Sequence, residues 1–219
     1  MKIDEIPLVG VVTLNSFHLK IDRFIDFSDM YGGTYEVDCR AKIEALSEIV
    51  TTRFHIDKIA KKTKDIEIEI LGFYAFLDPL EVHVGHAKSF LTVLVKDFGI
   101  KEVRKAIHSG DVEGMDGVLT ILVLNINSNL TALQDKGYTD VAFTGLKNLK
   151  QKVFDENVIQ EGWKGDKEEA VEENMSLFME VDAIIKDIQK TGRMLFKRES
   201  PAIAKEFTMS DVLKKIRNN

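Results

Sequence analysis

The chain has little of several things that commit a protein to a particular chemistry. Cys39 is its only cysteine, so no disulfide can close within it, which suits a reducing compartment. Its three prolines, Pro7, Pro79 and Pro201, stand far apart and leave long windows for uninterrupted helix. Apolar stretches such as Val118 to Leu124 are far short of the roughly 18 residues that suggest a bilayer span. Basic residues are outnumbered, 30 to 36, for a net charge of −6. That balance weighs against nucleic acid as a general partner unless a basic patch is concentrated locally. Asp4 and Glu5 occupy the place where a secretory signal would be basic, and Pro7 and Gly10 interrupt the apolar residues that follow. The reading from this end is a cytoplasmic protein without a signal segment. Nucleophile-elbow, P-loop and dinucleotide-binding glycine patterns are missing as well.

What is present is helical periodicity. Val171, Met175, Phe178, Val181, Ile185, Ile188 and Leu195 recur at steps that draw one stripe along a helix. Glu168, Glu169, Glu172 and Glu173 crowd the expected start of that helix, and Lys190, Arg193, Lys197 and Arg198 its end, as the helix dipole favours. Met115, Leu119, Leu122, Ile126, Leu130 and Leu133 form a second stripe that stops at Gly137. Thr139 can cap a third, carrying Phe143, Leu146, Leu149 and Val153 as far as Gln160, before a loop at GWKGD. A short final helix follows Pro201, with Thr208 and Asp211 at cap spacing.

In the N-terminal half the spacing predicts helices over Ser16 to Met30, from Thr34 to Phe54, from Leu80 to Phe98 and over Lys101 to His108. Ile66-Glu67-Ile68-Glu69-Ile70 alternates like a strand whose one candidate partner is Val9 to Leu14, but the flanking segments are helical, so helix is favoured. The fold class expected is all-α, an antiparallel helical bundle of about seven to eight helices or two bundles packed together. Residues 1–99 and 100–219 would be its two halves, unless they form one continuous domain.

Phe98-Gly99, Arg104-Lys105-Ala106, Ser109, Met115, Gly137-Tyr138-Thr139, Leu146, Leu149, Asn157, Gln160, Phe196-Lys197, Pro201 and Phe207 together resemble a group of bacterial all-helical bundle proteins. The resemblance covers the C-terminal half. It implies a helical architecture and brings no catalytic residue with it.

Few residues suggest chemistry. His83 and His86 share a helix face and could hold a metal with help from Asp78 or Glu81, although exposed helix histidines have the same spacing. Asp111, Glu113 and Asp116 among three glycines fail the calcium-loop pattern, because position twelve is Leu122. Cys39 has no motif that would make it a nucleophile, and His55 stands elsewhere in the chain. Arg53, Lys58, Lys61, Lys62 and Lys64 form a basic stretch with Phe54 as its one aromatic. Trp163, between glycines, either tucks over the bundle or anchors a partner. The function expected is non-enzymatic: protein contacts, with a partner or a second copy, no cofactor and no membrane. The alternative is a metal- or small-ligand-binding bundle that uses His83 and His86.

Overall fold

The computed structural model describes residues 1–20, 23–24, 34–91 and 98–217. Most of the helix expected over Ser16 to Met30, the Gly32-Gly33 stop and the far end of the one expected from Leu80 lie outside these residues. Of the described residues 86% are helical, and none is in a strand. It divides into two compact units: Met1–His55 with Lys164–Asn219, and Ile56–Trp163. The 99/100 position suggested by helix spacing falls inside the second of these.

The first unit contains α1 (Ile6–His18), α2 (Tyr35–Arg53), α9 (Met175–Phe196), α10 (Pro201–Glu206) and α11 (Met209–Arg217). Val9 to Leu14 is therefore helix. Ile6, Val9, Gly10, Thr13, Leu14 and Phe17 are buried at steps of three and one, so a single face of α1 meets the core. Pro7 falls in the first turn, where its missing N–H removes no helical bond. α1 packs on α9, α2 and α11. Gly10 lets α2 approach closely, since a Cβ there would lie 3.0 Å from Ile43 Cγ1. The core ends in an aromatic group in which Phe207 stacks on Phe196 at 5.9 Å and meets Phe24 at 5.7 Å. The segment after Pro201 is two helices instead of one, with buried Phe207 between them. Thr208 restarts the chain, its Oγ1 accepting from the Asp211 N–H at 3.4 Å.

The second unit contains α3 (Ile56–Gly72), α4 (Tyr74–Ala87), α5 (Ile100–Ser109), α6 (Val112–Ser128), α7 (Leu130–Gln134) and the first part of α8 (Asp140–Glu173). The alternating isoleucines belong to α3. Ile66 and Ile70, one turn apart, are buried, whereas Ile68 is 60% exposed, a division that a strand would not make. α3 runs antiparallel to α8: Thr63 meets Gln160, Lys62 meets Glu156 and Glu69 meets Lys152. α4 begins at Tyr74, six residues ahead of Leu80, and carries Pro79 inside it. Buried Leu77, Leu80, Val84 and Ala87 hold that helix together despite the lost backbone bond. The stripe from Met115 to Leu133 breaks at Asn129, whose Nδ2 donates to the Asn125 carbonyl at 2.9 Å. Gly137 is left-handed (φ 93°), and Thr139 Oγ1 accepts from the Ala142 N–H at 3.2 Å, as their positions in the sequence suggested.

α8 differs most from expectation. The predicted loop at GWKGD is helical, and the acidic residues expected to open the next helix lie in the last turns of α8. Carboxylates at a helix C-terminus oppose the dipole. Here Arg53 meets the charge of two of them, bonding Glu169 at 3.2 Å and also Glu173. α9 starts only at Met175, after Asn174 donates back to the Ala170 carbonyl at 2.9 Å.

Candidate functional site

Several of the residues singled out by the sequence are engaged in structural contacts. His83 Nδ1 lies 2.8 Å from the Lys136 carbonyl, which can only accept, so that nitrogen carries the proton. The imidazole packs edge-on to Tyr138 at 5.8 Å and braces the turn between α7 and α8. His86 is exposed one turn further along α4. The carboxylates of Asp78 and Glu81 both bond Arg104, each at 2.7 Å. Among the described residues, no three His, Cys, Asp or Glu side chains converge in a way that could hold a metal ion.

Asp111 caps α6, its Oδ1 accepting from the Gly114 N–H at 2.9 Å. A Cβ at position 114 would press on that carboxylate and require it to shift. Cys39 is buried, and burial pushes its thiol up and away from the reactive thiolate. His55, in a left-handed conformation (φ 48°), faces Asp166 at 3.5 Å. In the basic stretch, Lys62 pairs with Glu156 at 3.7 Å and the Lys58 ammonium sits 5.9 Å from the Trp163 ring centroid. Trp163 itself is a half-buried residue of α8.

A different place concentrates charge. In the first unit an open groove of about 570 Å³ runs between the end of α9 and α10. One wall is Lys190, Arg193, Met194 and Lys197, and the other is Pro201, Ala204, Lys205 and Thr208. The first set has the spacing i, i+3, i+4, i+7 of one helical face, while the second is α10 together with Thr208 from the turn that follows it. Four cations thus surround an apolar floor of Met194, Pro201 and Ala204, and no carboxylate lines it. Arg193 is steadied through Nε, which donates to the Gln189 carbonyl at 3.2 Å. Among the described residues no ion pair holds Lys190, Lys197 or Lys205. The Thr208 hydroxyl donates to the Lys205 carbonyl at 2.7 Å.

A second groove, of about 550 Å³ between α1 and α11, is electrically balanced. Its Glu206 pairs with Lys20 at 2.9 Å, and its Asp211 pairs with Lys215 at 3.3 Å. The helix-end cations of α9 were visible in the sequence but fitted the dipole well enough to need no further role. The opposite wall adds a single cation, Lys205, and nothing in the spacing of the sequence marks the two walls as neighbours.

No helix among the described residues is long and apolar enough to cross a membrane. Compared with protein families, with curated proteins and with solved structures, the chain matches none.

Proposed function

We propose that this chain is a non-enzymatic helical protein that works through protein contacts, and that the groove between α9 and α10 is where contact is made. The observation that carries this reading is the lining. Lys190, Arg193, Lys197 and Lys205 around Met194, Pro201 and Ala204 make a surface suited to hold a partially apolar anion. Met194 is 70% exposed, an apolar side chain presented to solvent among charges. Cations around an apolar centre suit the polar rim and apolar middle of a protein interface.

A photo-crosslinking residue placed at Met194, with a control at the exposed Val141, tests this in cells. Protein adducts at 194, identified by mass spectrometry and lost when Lys190 and Lys197 become Glu, are the expected result. Adducts mapping to a second copy would make the partner a homo-oligomer. Equal labelling at 194 and 141, insensitive to the charge reversals, would sink the reading.

A further inference from the structure

We infer that the groove between α9 and α10 takes an acidic peptide segment carrying an aliphatic residue between carboxylates. This rests on the reading of the groove as a protein contact site and names the chemistry of the partner. Three cations on one wall, Lys190, Arg193 and Lys197, face Lys205 on the other, so carboxylates on both sides of a segment find a counter-charge. Between the walls Met194, Pro201 and Ala204 offer a strip for one aliphatic side chain. A thioether can reshape itself around that chain, while the lysine stems lie over its flanks and keep their ammonium groups in water. The volume, about 570 Å³, is that of a cleft for a compact ligand, too small for an extended surface.

Other polyanions fit less well. Base stacking needs aromatic side chains, and this lining contains none. A long nucleic acid would also meet the repulsion of a chain whose net charge is −6. A membrane surface is broad, whereas these cations converge on a concavity between two helical walls.

The test is fluorescence anisotropy of the full chain with a labelled peptide of Glu and Asp around a central Leu. Inorganic phosphate, phosphatidylserine vesicles and oligothymidylate serve as competitors. Binding should weaken steeply with salt and fall roughly tenfold in the Lys190→Glu/Lys197→Glu variant. That variant should unfold at a somewhat lower temperature, because carboxylates at the end of α9 oppose its dipole, but keep a cooperative transition well above the assay temperature. Replacing the peptide Leu by Ser, or Met194 by Ser, should also weaken it. Peptide binding that ignores these changes overturns the inference, as does preferential binding of vesicles, phosphate or oligothymidylate. If the peptide fails while lysine-dependent protein adducts still form at position 194, the acidic-segment inference falls alone. If both fail, the protein-contact reading falls with it.

Discussion

Gln189 donates from Nε2 to the Thr13 hydroxyl at 3.3 Å, and both residues are buried between α9 and α1. The helices otherwise meet there through apolar side chains such as Val9, Leu14, Ile185 and Ile188. A polar pair in that setting contributes little net stability, but either group left alone costs its full desolvation.

Thr13→Val and Gln189→Leu should therefore each destabilise the fold by about 1–3 kcal/mol, because each strands the other group. The double variant should recover much of that loss, with apolar atoms facing apolar atoms. Urea unfolding of the four proteins forms the cycle, and strictly additive losses would mean that the two side chains do not depend on each other.

Gly192 lies in α9 against Phe207, and a Cβ there would clash with the ring of Phe207. Alanine normally improves a helix interior by roughly 0.5–1 kcal/mol over glycine. At this position overpacking of a fully buried aromatic should win, with a net loss of about 1–3 kcal/mol. A rise in melting temperature for Gly192→Ala would contradict the close approach of α9 to Phe207.

Helix class and most helix faces were readable because burial follows the 3.6-residue period wherever one face meets a core. The Ile43/Leu46 and Ile185/Ile188 positions are examples, all buried. What periodicity could not supply was where helices stop. Asn129 breaks a continuous stripe through a side-chain bond, and Pro79 and Gly162 lie inside helices that packing holds together. The acidic end of α8 looked like a helix start because its counter-charge, Arg53, comes from far back in the chain. The groove was hidden for a related reason: the end of α9 is ordinary until the turn after it brings Lys205 of α10 opposite Lys190, Arg193 and Lys197.

Burial pushes the Glu36 carboxyl up, but hydrogen bonds from His18 and Arg40, with their charges, hold it below the usual glutamate value. His18 Nδ1 lies 3.0 Å from Glu36 Oε2, and Arg40 Nη2 lies 3.2 Å from Oε1. A carboxyl lowered in the fold lends stability above the unfolded value, near pH 4.5, and loses it as pH falls through the folded one. Glu36→Gln should thus flatten the acid limb of stability below about pH 4.5. An acid limb as steep as that of the wild type would show that the pair contributes nothing there.

The Tyr138 hydroxyl is buried without a hydrogen-bond partner among the described residues, and burial pushes its pKa up to about 12. Stability should be untouched by this group below pH 10, then fall as pH rises from there through about 12. Tyr138→Phe removes an unsatisfied oxygen and should leave stability equal or higher at neutral pH. A clear loss in that variant would reveal a partner for the hydroxyl.

Gly162 and Gly165 lie on the exposed side of α8, where an added Cβ meets nothing within 4 Å. If residues 162–165 formed a loop, alanine there would bring little gain. Inside a continuous helix, each Gly→Ala change removes backbone freedom from the unfolded chain and should stabilise by about 0.5–1 kcal/mol. The two are within one turn of each other but face solvent, so their effects should add. Chemical denaturation of the single and double variants measures this, and circular dichroism should show helix content unchanged or slightly raised. Neutral or destabilising alanines at both sites would break α8 at the GWKGD segment and return it to a turn.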